Sequence, residues 1–255
     1  MLHVNPFKQI GFLLFSLAGL FIFVQIVGAI VGSAYAAAHP GITQEEYQAY
    51  MQSGEGLFSL DIPAYLLLFA CMSALLFADW KPLLKSFTKW KSYIYGVLGF
   101  FSILAFTMLY SAIVGAIYRA LGRETPTEPN LNQIYLNRMI LFNPAVCAIV
   151  FGVVGPFTEE LGYRVGLFGL ASRLGKVLGY VLSTIVFALI HFDFNCFSNS
   201  VSMEIEFVNL PMYLFSGFAF AFLYAKGGFP ASFTAHVINN VISVIENYAR
   251  MTNGA

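Results

Sequence analysis

Charge is scarce in this 255-residue chain. Only 10% of the residues are charged, whereas a soluble domain carries about a quarter. The 13 basic and 13 acidic residues cancel, and no basic tract is present, which disfavours nucleic acid as a partner. Hydrophobic residues make up 58% of the chain, and the mean hydropathy is +0.74. This composition indicates a polytopic membrane protein.

Several common catalytic and metal-binding patterns are also missing. The three cysteines are widely spaced and form no Cys-x-x-Cys, which argues against a zinc ribbon and a disulfide framework. The chain has no His-Glu-x-x-His and no Gly-x-Ser-x-Gly, the patterns of many zinc proteases and serine hydrolases. We therefore expect neither a bound metal nor a cofactor.

Apolar blocks of spanning or near-spanning length recur along the chain. A membrane helix needs about 20 apolar residues, and the alternation typical of a β-barrel is absent. We predict an all-α membrane bundle of about seven transmembrane helices, with eight as the alternative. The predicted blocks are 10–34, 62–77, 93–120, 140–170, 177–191, 210–224 and 231–249. We predict a basic loop over 81–91, a polar loop over 121–138, and a loop with a short interfacial helix over 192–209.

The first block is too long for a secretory h-region of about 7–15 residues. Residues 34–38, Ala-Tyr-Ala-Ala-Ala, nevertheless look like a signal-peptidase site, so a cleaved signal remains the alternative to a retained helix. If the N-terminus is cytoplasmic, most of the 13 Lys and Arg residues fall on the cytoplasmic side. The positive-inside rule therefore predicts this orientation. Because no organelle signal is evident, we expect a bacterial inner membrane.

Two adjacent glutamates interrupt the fourth block. Glu159 and Glu160 precede Arg164 in the run Pro-Phe-Thr-Glu-Glu-Leu-Gly-Tyr-Arg. A charge at membrane depth costs about 2.5–3.5 kcal/mol on insertion scales, so two in succession require a reason. On a helix, Glu160 and Arg164 share a face and can neutralise each other, which leaves Glu159 free for chemistry. The alternative is that both are interfacial. The spacing Gly162-x-x-x-Gly166 predicts a close approach of another helix.

Two histidines lie in the later apolar blocks. His191 ends the fifth block, where Phe187 can pack over its ring from one turn earlier. His236 and Asn240 are spaced i, i+4 on the seventh predicted helix, with Asn239 as a near alternative. At 1.5 Å per residue, the expected depths of Glu159, His191 and His236 are about 16, 22 and 9 Å. Helix tilt makes overlap near mid-membrane feasible, and intramembrane ionisable residues indicate a functional site.

An acid, two imidazoles and an amide favour hydrolysis by an activated water molecule. No serine or cysteine lies in a setting typical of a nucleophile. Glu159 can accept the proton of a water molecule that His191 orients and helps to activate. His236 and Asn240 can donate hydrogen bonds to the developing oxyanion, worth about 10²–10³ in rate each. The residues therefore predict cleavage of a peptide bond without a covalent intermediate.

Three motifs in this order resemble those of a known family. The CPBP family, also called Abi, comprises CAAX proteases and bacteriocin-processing proteins and consists of glutamic intramembrane endopeptidases. The resemblance covers about residues 140–250. The motifs that carry it are Glu159-Glu160-x-x-x-Arg164, Phe187-x-x-x-His191 and His236-x-x-x-Asn240.

The resemblance implies a helical core around a water-filled cavity. Glu159 and His191 would activate water, and His236 and Asn240 would form the oxyanion hole. Glu160 and Arg164 would hold the site together, with support from Phe187. We accordingly expect residues 1–139 to form helices and loops without a family motif, and residues 140–255 to form the catalytic core. The substrate would be a membrane-associated peptide or protein.

Three alternatives stay open. A zinc protease could use Glu159, His191 and His236 as ligands, although the chain lacks the usual zinc motif. A non-catalytic bacteriocin-immunity or scaffold protein could carry the same residues as a polar plug or a peptide pocket. A proton-coupled transporter is a third reading, because intramembrane carboxylates and histidines also relay protons.

Overall fold

The computed structural model describes residues 4–126, 129–198 and 200–254. All regular secondary structure in these residues is helical, which confirms the predicted all-α bundle. Residues 127–128 of the predicted polar loop and residue 199 of the predicted loop 192–209 lie outside the described residues. The helices are α1 Pro6–Ala38, α2 Gln44–Met51, α3 Gly54–Leu75, α4 Trp80–Ser86, α5 Trp90–Ala120, α6 Leu131–Phe142, α7 Pro144–Ala171, α8 Lys176–Leu189, α9 Ser200–Gly227 and α10 Phe229–Asn253.

Each of the seven predicted blocks forms a helix, but the helices differ in their ability to span a membrane. Within the described part of the chain, α1, α3, α5, α7 and residues 203–227 of α9 are long and apolar enough to cross a bilayer. Helix α8 is apolar but has only 14 residues. Helix α10 has 25 residues but carries His236, Asn239 and Asn240 among its apolar residues. Five helices thus qualify as spans by length and composition.

The predicted loops are shorter than expected. The loop over 121–138 is wrong from residue 131, because α6 begins there. Asn130 caps this helix, and its side-chain oxygen accepts a hydrogen bond from the backbone nitrogen of Gln133 at 3.0 Å. The loop over 192–209 is largely replaced by a 3₁₀ turn, Phe194–Ser198, and by the first part of α9. The basic loop over 81–91 contains α4.

Basic residues gather at one end of the bundle. Lys8 forms an ion pair with Asp79 at 2.5 Å, which joins the start of α1 to the segment after α3. The hydroxyl of Ser92 donates to the carbonyl of Gly227 at 2.7 Å, which joins the start of α5 to the end of α9. Several segments that we expect on the cytoplasmic side therefore lie together.

Helix α7 occupies the centre of the bundle. The most apolar window of α7 is 56% buried, against 11% for that of α5. Helix α1 crosses α7 at Gly162, where an added Cβ would overlap the hydroxyl of Ser16. The side-chain amide of Gln9 donates to the carbonyl of Val165 at 3.1 Å. The close approach expected at Gly162 is thus confirmed, and it fixes the helix that carries both glutamates.

Candidate active site

Both glutamates lie where α7 changes its winding. An α-helical segment, Gly155–Glu159, is followed by a π-helical segment, Glu160–Phe168. All nine residues of the π-helical segment are buried. Such segments are rare and frequently occur at functional sites. The change of winding places Glu160 inside the protein, whereas the side chain of Glu159 keeps 19% of its surface exposed.

Glu160 joins two helices through its two oxygens. Its side chain is fully buried, and Oε2 lies 3.4 Å from Nε of Arg164. Oε1 lies 3.0 Å from Nδ1 of His236. The buried Arg164 also donates from Nη1 to the hydroxyl of Ser183 on α8 at 2.6 Å, and its guanidinium lies 4.9 Å from the ring centre of Phe187. The predicted pair of Glu160 and Arg164 is present and forms part of a larger buried network.

His236 lies between the two carboxylates. A carboxylate can only accept a hydrogen bond from a ring N–H, so Nδ1 of His236 carries the proton shared with Glu160. The other ring nitrogen, Nε2, faces Oε2 of Glu159 at 3.7 Å, beyond direct hydrogen-bonding distance. The side chain of His236 is 3% exposed, and its ring stacks on Phe220 with ring centres 4.3 Å apart. Stacking and the bond to Glu160 together fix the ring orientation.

His191 is held from one side. Its Nδ1 lies 2.8 Å from the carbonyl oxygen of Phe187, and a carbonyl can only accept, so Nδ1 carries a proton. When the imidazole is neutral, Nε2 therefore has a free lone pair. The ring lies against Tyr213 with centres 4.9 Å apart, and against Phe187 with centres 4.7 Å apart. Phe187 therefore packs on the imidazole, as its spacing predicted.

Glu159 and His191 line the same cavity. This cavity has a volume of about 330 Å³ and is bounded by α3, α6, α7, α9 and α10 together with His191 at the end of α8. It has room for several water molecules. A second cavity, of about 220 Å³, lies next to it, because both are lined by His191, Tyr213, Asn239 and Asn240. His236 lines only the second of the two.

The side-chain amide of Asn240 already forms two hydrogen bonds within the protein. Its Nδ2 donates to the carbonyl of Phe151 at 3.1 Å, within a second π-helical segment, Val150–Val154. Its Oδ1 accepts from Nδ2 of Asn239 at 3.3 Å. A side-chain amide has two N–H groups, so one of them remains available at the cavity wall.

Three residues of the site were missed by sequence reasoning. Ser183 binds Arg164, Tyr213 packs on His191, and Phe220 packs on His236. A signal for Ser183 was present, because Ser183, Phe187 and His191 are spaced i, i+4, i+8 and form one stripe of α8. Tyr213 and Phe220 lie in an aromatic-rich apolar block, where nothing local distinguishes them from membrane-facing residues.

The donor set offers no evident metal centre. Among residues 4–126, 129–198 and 200–254, no group of three or more His, Cys, Asp or Glu side chains is arranged to hold a metal ion. His236 directs both ring nitrogens at carboxylates, so ligating a metal would require it to give up one of these contacts.

Comparison with protein families gives one match. The model of the type II CAAX prenyl endopeptidase family, Rce1-like, matches residues 141–242. This range contains every residue that the motifs predicted for the site. Comparisons with curated proteins and with solved structures give no match. The family match confirms the resemblance to CAAX proteases over residues 141–242 and indicates an intramembrane protease, and the apolar spans indicate an integral membrane protein.

Proposed function

We propose that the chain is a glutamic endopeptidase that hydrolyses a peptide bond of a membrane-associated peptide or protein. One observation carries this proposal. Glu159 of α7 and His191 at the end of α8 line a single cavity, although they lie far apart in the sequence. Glu159 thus has access to the same cavity as an imidazole, which is what activation of a water molecule requires.

Water activation follows from the cavity that these two residues share. The Glu159 side chain lines it and is 19% exposed, and Nδ1 of His191 is bonded to Phe187, which leaves Nε2 free. The carboxylate and this nitrogen are the proposed acceptors of hydrogen bonds from one water molecule. Glu159 takes a proton, and the remaining hydroxide attacks the carbonyl carbon of the scissile bond. When the carbon–nitrogen bond breaks, Glu159 passes this proton to the leaving amine. The reaction therefore consumes one water molecule.

His236 and Asn240 are the proposed oxyanion donors. Because Nδ1 of His236 is bonded to Glu160, donation to the oxyanion must come from Nε2–H, which requires a doubly protonated ring. In that state the charges of Glu159, Glu160, Arg164 and His236 sum to zero, as expected for charges that are largely removed from water. The second N–H of Asn240 completes the pair of donors.

Glu160, Arg164 and Phe187 are the proposed supports of this site. Glu160 holds His236, Arg164 holds Glu160 against α8, and the ring of Phe187 lies against both imidazoles, with centres 4.7 Å from His191 and 5.7 Å from His236. We further propose that residues 140–255 are the catalytic core and that residues 1–139 brace it, and that the chain lies in a bacterial inner membrane with its N-terminus in the cytoplasm.

Substitution of Glu159 by glutamine tests the proposal. The wild type, Glu159→Gln and a matched control, Glu246→Gln on the exposed side of α10, are reconstituted with candidate membrane peptides, and products are identified by mass spectrometry. We expect cleavage by the wild type and the control, and a loss of about 10²–10⁴ in rate for Glu159→Gln. Cleavage by Glu159→Gln at the wild-type rate would show that the general base is wrongly assigned.

A further inference from the structure

A separate cavity lies at the basic end of the bundle. Its volume is about 410 Å³, and its walls are the start of α5 and the turn between α9 and α10. It shares no lining residue with the two cavities of the catalytic site. The lining residues are Lys89, Trp90, Lys91, Ser92, Tyr95, Lys226, Gly227 and Gly228.

Three lysines surround this cavity without counter-charges. Lys89, Lys91 and Lys226 are exposed, and in the described part of the chain no carboxylate lies within ion-pair distance of any of them. Lys8, at the same end of the bundle, does have such a partner in Asp79. Like charges that share one cavity attract an anion, which would relieve their mutual repulsion.

Two helix starts meet at the same cavity. Helix α5 begins after Lys89 and α10 begins after Gly228, and neither start is capped by a side chain. Both starts carry partial positive charge, but free backbone N–H groups come from the first turn of α5, because in α10 Pro230 has no N–H and the N–H of Ala231 bonds to the carbonyl of Gly228. Gly228 has a φ of 77°, a conformation that glycine adopts without strain. The 2.7 Å bond from Ser92 to the carbonyl of Gly227 holds the two starts together.

The cavity lies where two apolar spans end. The apolar span of α5 begins at Trp90, and that of α9 ends at Gly227. Trp90 is 65% exposed, as is typical of tryptophan at the lipid–water interface. The phosphate groups of lipids lie at the depth where membrane spans end, whereas soluble anions reach this depth only from the aqueous side.

We propose that this cavity binds the phosphate group of an anionic membrane lipid. The lysines supply charge, the first turn of α5 supplies backbone hydrogen-bond donors, and Trp90 and Tyr95 flank the site where the acyl chains enter the bilayer. Basic pockets between transmembrane helices bind such headgroups in the same way. The site is independent of the proposed catalytic mechanism.

The two tryptophans of the chain, Trp80 and Trp90, make a direct test possible. In a Trp80→Phe variant, Trp90 is the sole tryptophan and reports on lipids at the cavity. This variant is reconstituted in phosphatidylcholine vesicles with a minor fraction of brominated phosphatidylglycerol or, in parallel, of brominated phosphatidylcholine. We expect stronger quenching of Trp90 by the brominated anionic lipid. Equal quenching by the two lipids would overturn the proposal.

Substitution of the lysines tests whether the preference for the anionic lipid arises at this cavity. One variant replaces Lys89, Lys91 and Lys226 by glutamine, and its matched control replaces Lys81, Lys85 and Lys176, which are exposed but do not line the cavity. Each lysine near an anionic surface contributes about fivefold, the equivalent of about 1 kcal/mol. We therefore expect the preference to fall at least tenfold in the first variant and to persist in the control. A preference that survives in the first variant, or falls equally in both, would contradict the proposal.

Two further measurements complete the test. Addition of inorganic phosphate distinguishes the source of the phosphate group. If phosphate reverses the quenching, free phosphate also occupies the cavity. If the quenching is unchanged, the site is restricted to lipid. Native mass spectrometry of the wild type, which does not depend on the Trp80 substitution, should show retained phosphatidylglycerol in preference to phosphatidylcholine. Retention of both lipids in their bulk proportions would argue against the site.

Discussion

Substitution of Glu160 by glutamine separates the structural role of one glutamate from the chemical role of its neighbour. Glu160 is fully buried and contacts Arg164 at 3.4 Å and His236 at 3.0 Å. Glutamine keeps the shape of the side chain but removes its charge, which leaves the buried Arg164 without the carboxylate that it contacts. Glu159→Gln is the matched control, because it makes the same chemical change one residue away.

The expected loss of stability follows from the contacts that remain. Removing one partner of a buried ion pair costs about 3–5 kcal/mol. The lower end applies here, because Arg164 keeps its 2.6 Å bond to Ser183 and its contact with the ring of Phe187. A chain of this length loses about 2–4 °C in melting temperature per kcal/mol, so Glu160→Gln should melt roughly 6–12 °C lower. Glu159→Gln, which breaks no hydrogen bond at Oε2 in the described structure, should change stability by less than about 1 kcal/mol.

Thermal unfolding of the purified proteins, followed by intrinsic fluorescence in one detergent, measures both values. Peptide cleavage measured on the same preparations should be lost in both variants, in Glu160→Gln because His236 loses its anchor and in Glu159→Gln because the base is gone. Equal melting temperatures for the two variants, or a larger loss for Glu159→Gln, would refute the assignment of Glu160 as the structural member of the pair.

Three further outcomes are expected. Asn240→Ala should lower kcat by about 10²–10³, whereas Asn239→Ala should lower it less than about tenfold if it serves only as a hydrogen-bond neighbour; rates on one substrate decide between them. Strong chelators should leave cleavage unchanged, and the purified protein should contain less than one metal ion per chain; activity that is lost on chelation and restored by zinc would instead favour the zinc alternative. Gly162→Ala should destabilise the fold by about 1–3 kcal/mol, because the new methyl group overlaps the hydroxyl of Ser16; thermal unfolding should show partial recovery when Ser16→Ala is added.

Hydropathy and spacing predicted much of this molecule. Each of the seven apolar blocks forms a helix, as predicted, and the i, i+4 rule predicted the pairing of Glu160 with Arg164. Hydropathy failed at α6 and at the start of α9. In α6, Asn132 and Gln133 line the cavity beside Glu159 and His191, and polar residues that line a cavity inside a membrane protein have the composition of a loop.

The depth of the site residues could not be predicted. Counting at α-helical rise gave about 16 Å for Glu159 and 9 Å for His236, yet their side chains lie 3.7 Å apart. The π-helical segment 160–168 lies between Glu159 and the basic end of α7. Because π winding uses more residues per turn than α winding, Glu159 lies closer to that end than the count implied. No pattern in a single sequence marks this change of winding.

The adjacency of the two glutamates has a physical reason. Neighbouring residues on a helix point in directions about 100° apart, so two consecutive carboxylates cannot share one environment. Glu160 points to Arg164 and His236, where its charge is balanced, and Glu159 lines the cavity, where its side chain keeps 19% of its surface exposed. His236 contacts both and couples them. The pair therefore gives the site a fixed anchor and the proposed base within one helical turn, and separating the two along the chain would move one of them away from His236.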